Sequence, residues 1–300
     1  MFDKQTLHGA WFAIGAFSFW GFIPIYFKLV GNVSPLEIVS QRVLWSVPLL
    51  LAILLYLGRF DALTLQRRHW WKVLLSASLL CANWLTFIYG ILHNNIVETS
   101  LGYFINPLVS VFLGMIFLGE RLRPLQWIAI GIAASGIGCQ LLYYGRVPWI
   151  ALTLAFSFGF YGLTRKSLNL HSVGGLALET MILSPLAMAY ILYLSHLGTL
   201  KFGHSDLTTD LLLMLAGFVT SFPLLCFAAA VKRLSLTAVG MFQYMAPSMS
   251  LVVAVVIYGE PFGTGRLITF ACIWIALAVF TAEALYHHNR LARQLDRVPV

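Results

Sequence analysis

Cut at its polar and turn-rich points, the chain falls into ten apolar segments, each close to the roughly 20 residues that a helix needs to cross a bilayer. They cover about 9–30, 35–57, 71–92, 97–118, 124–144, 147–167, 174–196, 210–231, 236–258 and 264–286, with breaks such as "GNVSP", "HNNIVE", "GERLRP" and "KRLSL" between them. Backbone amides and carbonyls find no partner in lipid, so spans of this kind must be helical. Composition agrees where it bears on the argument: 10% of the residues are charged and 60% hydrophobic, against about 25% charged in a soluble chain. The expectation is an all-α integral membrane protein with ten transmembrane helices. The opening "MFDKQTLHG" leads into an apolar run without a small-residue cleavage site, so that run is read as a retained first helix.

Basic residues orient the spans, because Lys and Arg concentrate in cytoplasmic loops. With the N-terminus inside, fourteen of the 19 basic residues fall in cytoplasmic segments, among them Arg67, Arg68, Arg121, Arg123, Lys232 and Arg233, and four outside: Lys28, Arg146, Lys201 and Arg266. Arg42 lies within a helix. Both termini are therefore expected in the cytoplasm, and the net charge of +8 reads as a basic inner face against anionic lipid. No nucleic-acid-binding module accompanies that charge.

The chain also repeats itself. "PLVSVFLGMIFLGE" at 107–120 aligns without gaps on "PSMSLVVAVVIYGE" at 247–260, matching Pro107 with Pro247, Ser110 with Ser250, Gly119 with Gly259 and Glu120 with Glu260. Upstream, "TSLG" at 99–102 answers "TAVG" at 237–240, with the spacing to the proline longer by two, and "AFSF" occurs at 16–19 and 155–158. Two halves of five helices follow, 1–145 and 146–287, with 288–300 as a cytoplasmic tail. Five is odd, so the second half enters the membrane inverted, an architecture suited to alternating access. Pro107 and Pro247 cannot donate to the carbonyls of Tyr103 and Gln243. Both helices are expected to break there, where irregular backbone can line a cavity.

Several stretches resemble the RarD-type branch of the EamA family, within the drug/metabolite transporter superfamily: "FSFWGFIPIYFK", "NWLTFIYG", "ETSLGYFINPLVSVFLGMIFLGERL", "LALETMILSP" and "FQYMAPSMSLVVAVVIYGE". The likeness runs in order from about residue 3 to 288. It implies a ten-helix permease of the bacterial inner membrane built from two EamA repeats, an exporter of drugs such as chloramphenicol or of metabolites. Gln41 departs from the pattern, which has His before the Arg of the second helix, so no titrating role is carried over to that position.

Charges within or at the ends of membrane helices are costly and mark functional candidates. Lys28 with Glu37 or Glu98 is expected to close the outer mouth, and Arg165 or Lys166 with Glu179 the inner one. Arg42 lies deeper in its helix, and Glu37 or Glu179 is the candidate proton carrier. Trp20, Tyr26, Asn83, Tyr103, Asn106, Tyr161, Gln243 and Tyr244 offer the mixture of apolar walls and sparse polar groups that a small organic substrate needs. Gly131 with Ser135 and Ala134 with Gly138 in helix 5 have small-xxx-small spacing, read as scaffold or as the interface of a homodimer.

Cys81, Cys139, Cys226 and Cys272 stand in apolar segments without paired spacing, and the eight histidines lack ligand spacing, so neither a metal nor a cofactor is expected. The absence of GxxxxGK[ST] removes ATP as a direct energy source from this chain. An intramembrane enzyme would need a nucleophile and base, or an acid cluster, and HExxH and GxSxG are absent. A secondary transporter of small molecules, an uncoupled metabolite exchanger or facilitator, and a passive channel remain. Saturable, competable flux separates a carrier from a pore.

Overall fold

The computed structural model describes residues 4–64, 69–93, 95–145, 147–168, 170–259 and 264–295. Its helices are α1 (Lys4–Leu29), α2 (Pro35–Tyr56), α3 (Trp70–Leu92), α4 (Ile96–Leu118), α5 (Pro124–Tyr144), α6 (Trp149–Ser167), α7 (Ser172–His196), α8 (Leu207–Arg233), α9 (Leu236–Gln243), α10 (Met245–Val252) and α11 (Thr264–Leu295). A 3₁₀ turn occupies Phe60–Leu63, and a π turn over Val253–Ile257 extends α10. Among the described residues no strand occurs. Nine stretches are long and apolar enough to cross a membrane, one of them the combined Leu236–Ile257. The 19-residue α6 joins them in the bundle.

Local chemistry sets the helix ends. Ser34 and Pro35 open α2: the serine hydroxyl accepts from Glu37 N–H, and the proline occupies a position whose amide would have no helical partner. Ser235 caps α9 by accepting from Ala238 N–H. Gly119 ends α4 in the left-handed conformation, φ 64°, which a β-carbon would strain.

The fourth and ninth spans answer the proline expectation differently. α4 runs unbroken through Pro107. The second copy does break, between α9 and α10 at Tyr244, three residues before Pro247. One missing amide removes one hydrogen bond and leaves the flanking turns in place, which a packed helix tolerates. In the second copy the longer spacing between glycine and proline adds two residues that a regular helix in the same register cannot absorb.

The bundle turns large apolar side chains outward, as lipid permits: Trp11, Leu55, Leu142, Leu186 and Val256 are all exposed. Its centre holds Phe17, Tyr161, Phe227 and Tyr244. α1 packs on α8 and α10, α2 on α7 and α8, α3 on α6 and α7, α4 on α6 and α9, and α5 on α11. At Gly217 the α8 backbone lies against that of α2, so close that a β-carbon would sit 2.5 Å from the Trp45 carbonyl carbon. At Gly240, α9 meets α4 in the same way, 2.8 Å from the Pro107 carbonyl oxygen. The stretch around Pro107 thus faces another helix.

The small residues of α5 divide between two faces. Ala129, Ala133, Gly136 and Ile137 face inward; a β-carbon at Gly136 would meet Cys272 on α11 at 2.7 Å. Gly131, Ala134 and Ser135 are exposed, and nothing lies within 4 Å of a β-carbon at Gly131 or Gly138. The register of the helix, set by its burial against α11, carries them to the other side.

Candidate transport site

Lys4 and Leu295 lie at one end of the bundle, here the terminal end; the turns after α1 and α3 and before α8 lie at the distal end. Charged side chains enter the bundle from both ends.

Near the terminal end, Tyr161 and Arg165 stand one turn apart on α6 and face Glu179 of α7. Arg165 Nη1 donates to Glu179 Oε1 at 3.2 Å, Ser76 Oγ of α3 to the same oxygen at 2.5 Å, and Tyr161 Oη to Oε2 at 3.3 Å. Arg165 Nη2 donates to Ser172 O at 3.1 Å. Arg165 is 2% exposed and Glu179 fully buried. Gly175 makes room: a β-carbon there would lie 2.1 Å from Arg165 Nη1. Such a pair strongly resists losing one partner, because the other would remain as a buried uncompensated charge.

Near the distal end stands Arg42, the eighth residue of α2, about 10 Å along the helix from its start at 1.5 Å per residue. Its Nε donates to Thr220 Oγ1 of α8 at 2.7 Å, a contact set up by the close approach at Gly217 one turn away. The guanidinium lies over Trp84 of α3, 5.1 Å from the ring centroid, and 5.9 Å from that of Phe27 on α1. Rings continue the wall: Phe27 to Phe87 at 6.3 Å, Phe87 to Tyr103 of α4 at 6.2 Å, and Tyr26 to Phe27 at 5.6 Å. Tyr103, at the end of this run of rings, is 47% exposed. Among the described residues no carboxylate pairs with Arg42. The titratable groups acting on it are the phenols of Tyr26 and Tyr103.

The remaining candidates are dispersed. Lys28 Nζ stands 3.2 Å from the centroid of the Tyr258 ring, away from both Glu37 and Glu98. Glu37 accepts from the backbone N–H groups of Lys201 and Phe202, both at 3.0 Å, and so fastens the α7–α8 loop. Glu98 accepts from Ile150 N–H at 2.7 Å in the first turn of α6. Lys166 donates to Val231 O at 3.0 Å and to Leu234 O, covering the C-terminus of α8 rather than meeting Glu179.

Of the cavity candidates, Tyr26 donates to Leu212 O, and Asn83 to Leu154 O and Ser157 Oγ, both at 3.0 Å, which uses that amide to join α3 to α6. Trp20 belongs to an aromatic cluster with Phe17, Phe158 and Phe227. Gln243 Nε2 donates to Ser110 Oγ at 3.0 Å across the α4–α9 contact. Asn106 Oδ1, Gln243 Oε1 and Tyr244 Oη are buried without a hydrogen-bond partner among the described residues.

The EamA-like transporter family matches this sequence twice, over residues 7–142 and 147–282, nearly the whole chain. The chain belongs to that family. Within it the likeness is to RarD-type permeases. Protein RarD of Escherichia coli is 43% identical over 97% of this chain and 99% of its own. An "Uncharacterized transporter" of Vibrio cholerae is 47% identical over 97% and 98%. A "Chloramphenicol-sensitive protein RarD" of Pseudomonas aeruginosa is 29% identical over 85% and 87%. A crystal structure with 19% identity superposes with a TM-score of 0.72 over 94% of this chain and 99% of that one, and so shares the fold.

In this EamA-family chain two surface grooves stand out, and one of them, beside His171 and Arg233, includes Ser172, the carbonyl partner of Arg165. The other, between α2 and α7, is lined by Leu44, Val47, Pro48, Ser184, Pro185 and Met188 and is apolar as a lipid-facing seam would be. Sequence reasoning missed Ser76 and Thr220, the hydroxyl partners of Glu179 and Arg42, because a lone Ser or Thr in an apolar helix carries no signal. It also set aside Glu120, which accepts from the N–H groups of Leu236 at 2.6 Å and Thr237 at 2.8 Å. Glu260, its repeat partner, lies outside the described residues. His171, in the turn before α7, has its pKa lowered by burial and by the cations Arg59 and Lys232, against a smaller opposite effect of Asp61.

Proposed function

We propose that the protein is a secondary transporter of small organic molecules in the bacterial inner membrane, working by alternating access between two inverted five-helix repeats, 1–145 and 146–287. Both termini are cytoplasmic, with 288–300 as a tail. The observation that carries the reading is the pairing of buried charge. Arg42 and Glu179 are each the eighth residue of their helices, α2 and α7, and enter from opposite ends; Pro48 and Pro185 are each the fourteenth. Helix packing supports the repeat: exchanging each helix with its counterpart in the other half turns α1–α8 into α6–α3, α4–α6 into the contact of the ninth span with α1, and α2–α8 into α7–α3, all contacts that occur. On this reading Arg165 with Glu179, and Lys166 on the α8 terminus, close the inner side, and Arg42 is reached from the outer one, where Lys28 rests on Tyr258.

The transported molecules are drugs such as chloramphenicol or metabolites of similar size, and Glu37 or Glu179 is the group through which a proton gradient would act. Glu37 and Glu98 bind backbone amides, which favours a holding role for both and gives weight to uncoupled exchange as the second reading.

Proteoliposomes with an imposed pH gradient decide between the two. Uptake of amphenicols, amino acids and other small metabolites that is saturable, gradient-driven and lost in Glu179→Gln establishes coupled transport. Exchange against preloaded solute without accumulation establishes the facilitator. Flux that neither saturates nor is competed refutes carriage.

A further inference from the structure

A buried guanidinium whose terminal nitrogens lack an acceptor is a stronger constraint on ligand chemistry than the aromatic walls around it. Arg42 is 8% exposed. Its single hydrogen bond among the described residues uses Nε, to Thr220, leaving the four N–H bonds of Nη1 and Nη2. Trp84 and Phe27 give it ring faces, which attract a cation but accept no charge. The buried pair at the other end contrasts with it: Arg165 has a carboxylate and a carbonyl, and Glu179 three donors. Glu37, one turn nearer the end of the same helix, directs Oε1 to the backbone of the α7–α8 loop.

We propose that Arg42 binds the carboxylate of a small organic monoanion whose flat apolar body lies against Phe27, Trp84, Phe87 and Tyr103. The proposal rests on the transporter reading and narrows its substrates: it selects metabolite monoanions over neutral drugs such as chloramphenicol. A carboxylate takes two parallel N–H bonds from the outer edge of a guanidinium, the edge that Thr220 leaves open. The charge count selects the monoanion: Arg42 is the single cation among these rings, and Lys28, at the end of α1, is engaged with Tyr258. A phosphate dianion would bring one negative charge too many into a wall of rings. A neutral aromatic would fill the space and leave the guanidinium unmatched, at the cost that any buried unpaired charge carries. The anion also neutralises the site on entry, so the loaded cavity carries no net charge when it changes sides.

The test uses three probes of nearly one shape: benzoate, benzamide and benzylamine, which is a cation at pH 7.5. Binding to the purified full-length protein in detergent is read by tryptophan fluorescence, and flux by radiolabelled benzoate exchange in proteoliposomes. The expected result is that benzoate binds at least about tenfold more tightly than benzamide, about 1.4 kcal/mol, that benzylamine does not compete, and that the preference disappears in Arg42→Gln but persists in Arg42→Lys. Benzoate no tighter than benzamide in the wild type overturns the proposal without recourse to any variant. A preference unchanged in folded Arg42→Gln overturns it as well. Charge-selective binding without saturable exchange upholds the anion site and refutes the transporter reading; saturable exchange that ignores charge does the reverse.

Discussion

Removing Glu179 tests the proposed inner gate most directly. Glu179→Leu deletes a carboxylate held by Ser76, Arg165 and Tyr161 and leaves the Arg165 guanidinium 2% exposed with only the Ser172 carbonyl. Breaking one side of a buried pair costs about 3–5 kcal/mol, whereas replacing both partners by apolar residues of similar volume is often neutral. At about 2 °C per kcal/mol for a chain of this size, Glu179→Leu and Arg165→Met should each lower the unfolding midpoint in detergent by about 6–10 °C, and the double variant should recover most of that loss. The second readout is access. If the pair holds the inner side shut, a coupling of about 3 kcal/mol corresponds to roughly 150-fold in the ratio of the two states. With the four native cysteines replaced, a Ser157→Cys probe on α6 should then label far faster from the terminal side in the stable double variant than in its parent. Additive single effects would refute the pairing as an energetic unit. A recovered midpoint with unchanged labelling would refute its role as a gate.

Other perturbations have distinct signatures. Glu37→Gln weakens two charge-assisted hydrogen bonds to Lys201 and Phe202, worth about 1.5–3 kcal/mol each, so proteolysis of the 199–206 loop should accelerate while the rest of the chain stays protected. Gly217→Val forces α8 off the Trp45 backbone and separates Arg42 from Thr220; we expect a loss of about 1–3 kcal/mol or more, seen as a lowered midpoint. His171 is held below its ordinary value of 6.5, so folding favours its neutral form. Its contribution is present above that value and is lost as pH falls through the lowered one. Between pH 7 and 5 the wild-type midpoint should drop more than that of His171→Gln; parallel curves would contradict the assignment.

Much of the architecture was legible because lipid leaves few choices. Segment lengths and polar breaks locate most helix ends to within a few residues, though the first helix starts earlier and the last runs nine residues further than expected, and α7 with α6 already brings Glu179 to Arg165. What escaped is what depends on three-dimensional neighbours. Glu37 and Glu98 look like gate carboxylates in a linear reading, yet each meets backbone amides that only the folded second half presents. Pro107 looks like a break, but α4 runs unbroken past it, packed on Gly240, while the ninth span breaks at Tyr244. The small residues of helix 5 keep the right spacing on a face the register turns away from α11. Arg42 was visible as an intramembrane charge; that its terminal nitrogens would be left unanswered was not, since Thr220 stands 178 positions away.

The first turn of α9 has a consequence for how the chain is made. Ser235 takes the Ala238 amide, but those of Leu236 and Thr237 go to Glu120, synthesised 116 residues before Leu236. The ribosome therefore delivers α9 to a partner already waiting in the membrane, and the ninth span matures only after the first half is in place. Translated alone, the second half would reach the bilayer with those amides bare; translated beside a separate first half, it would have them covered again.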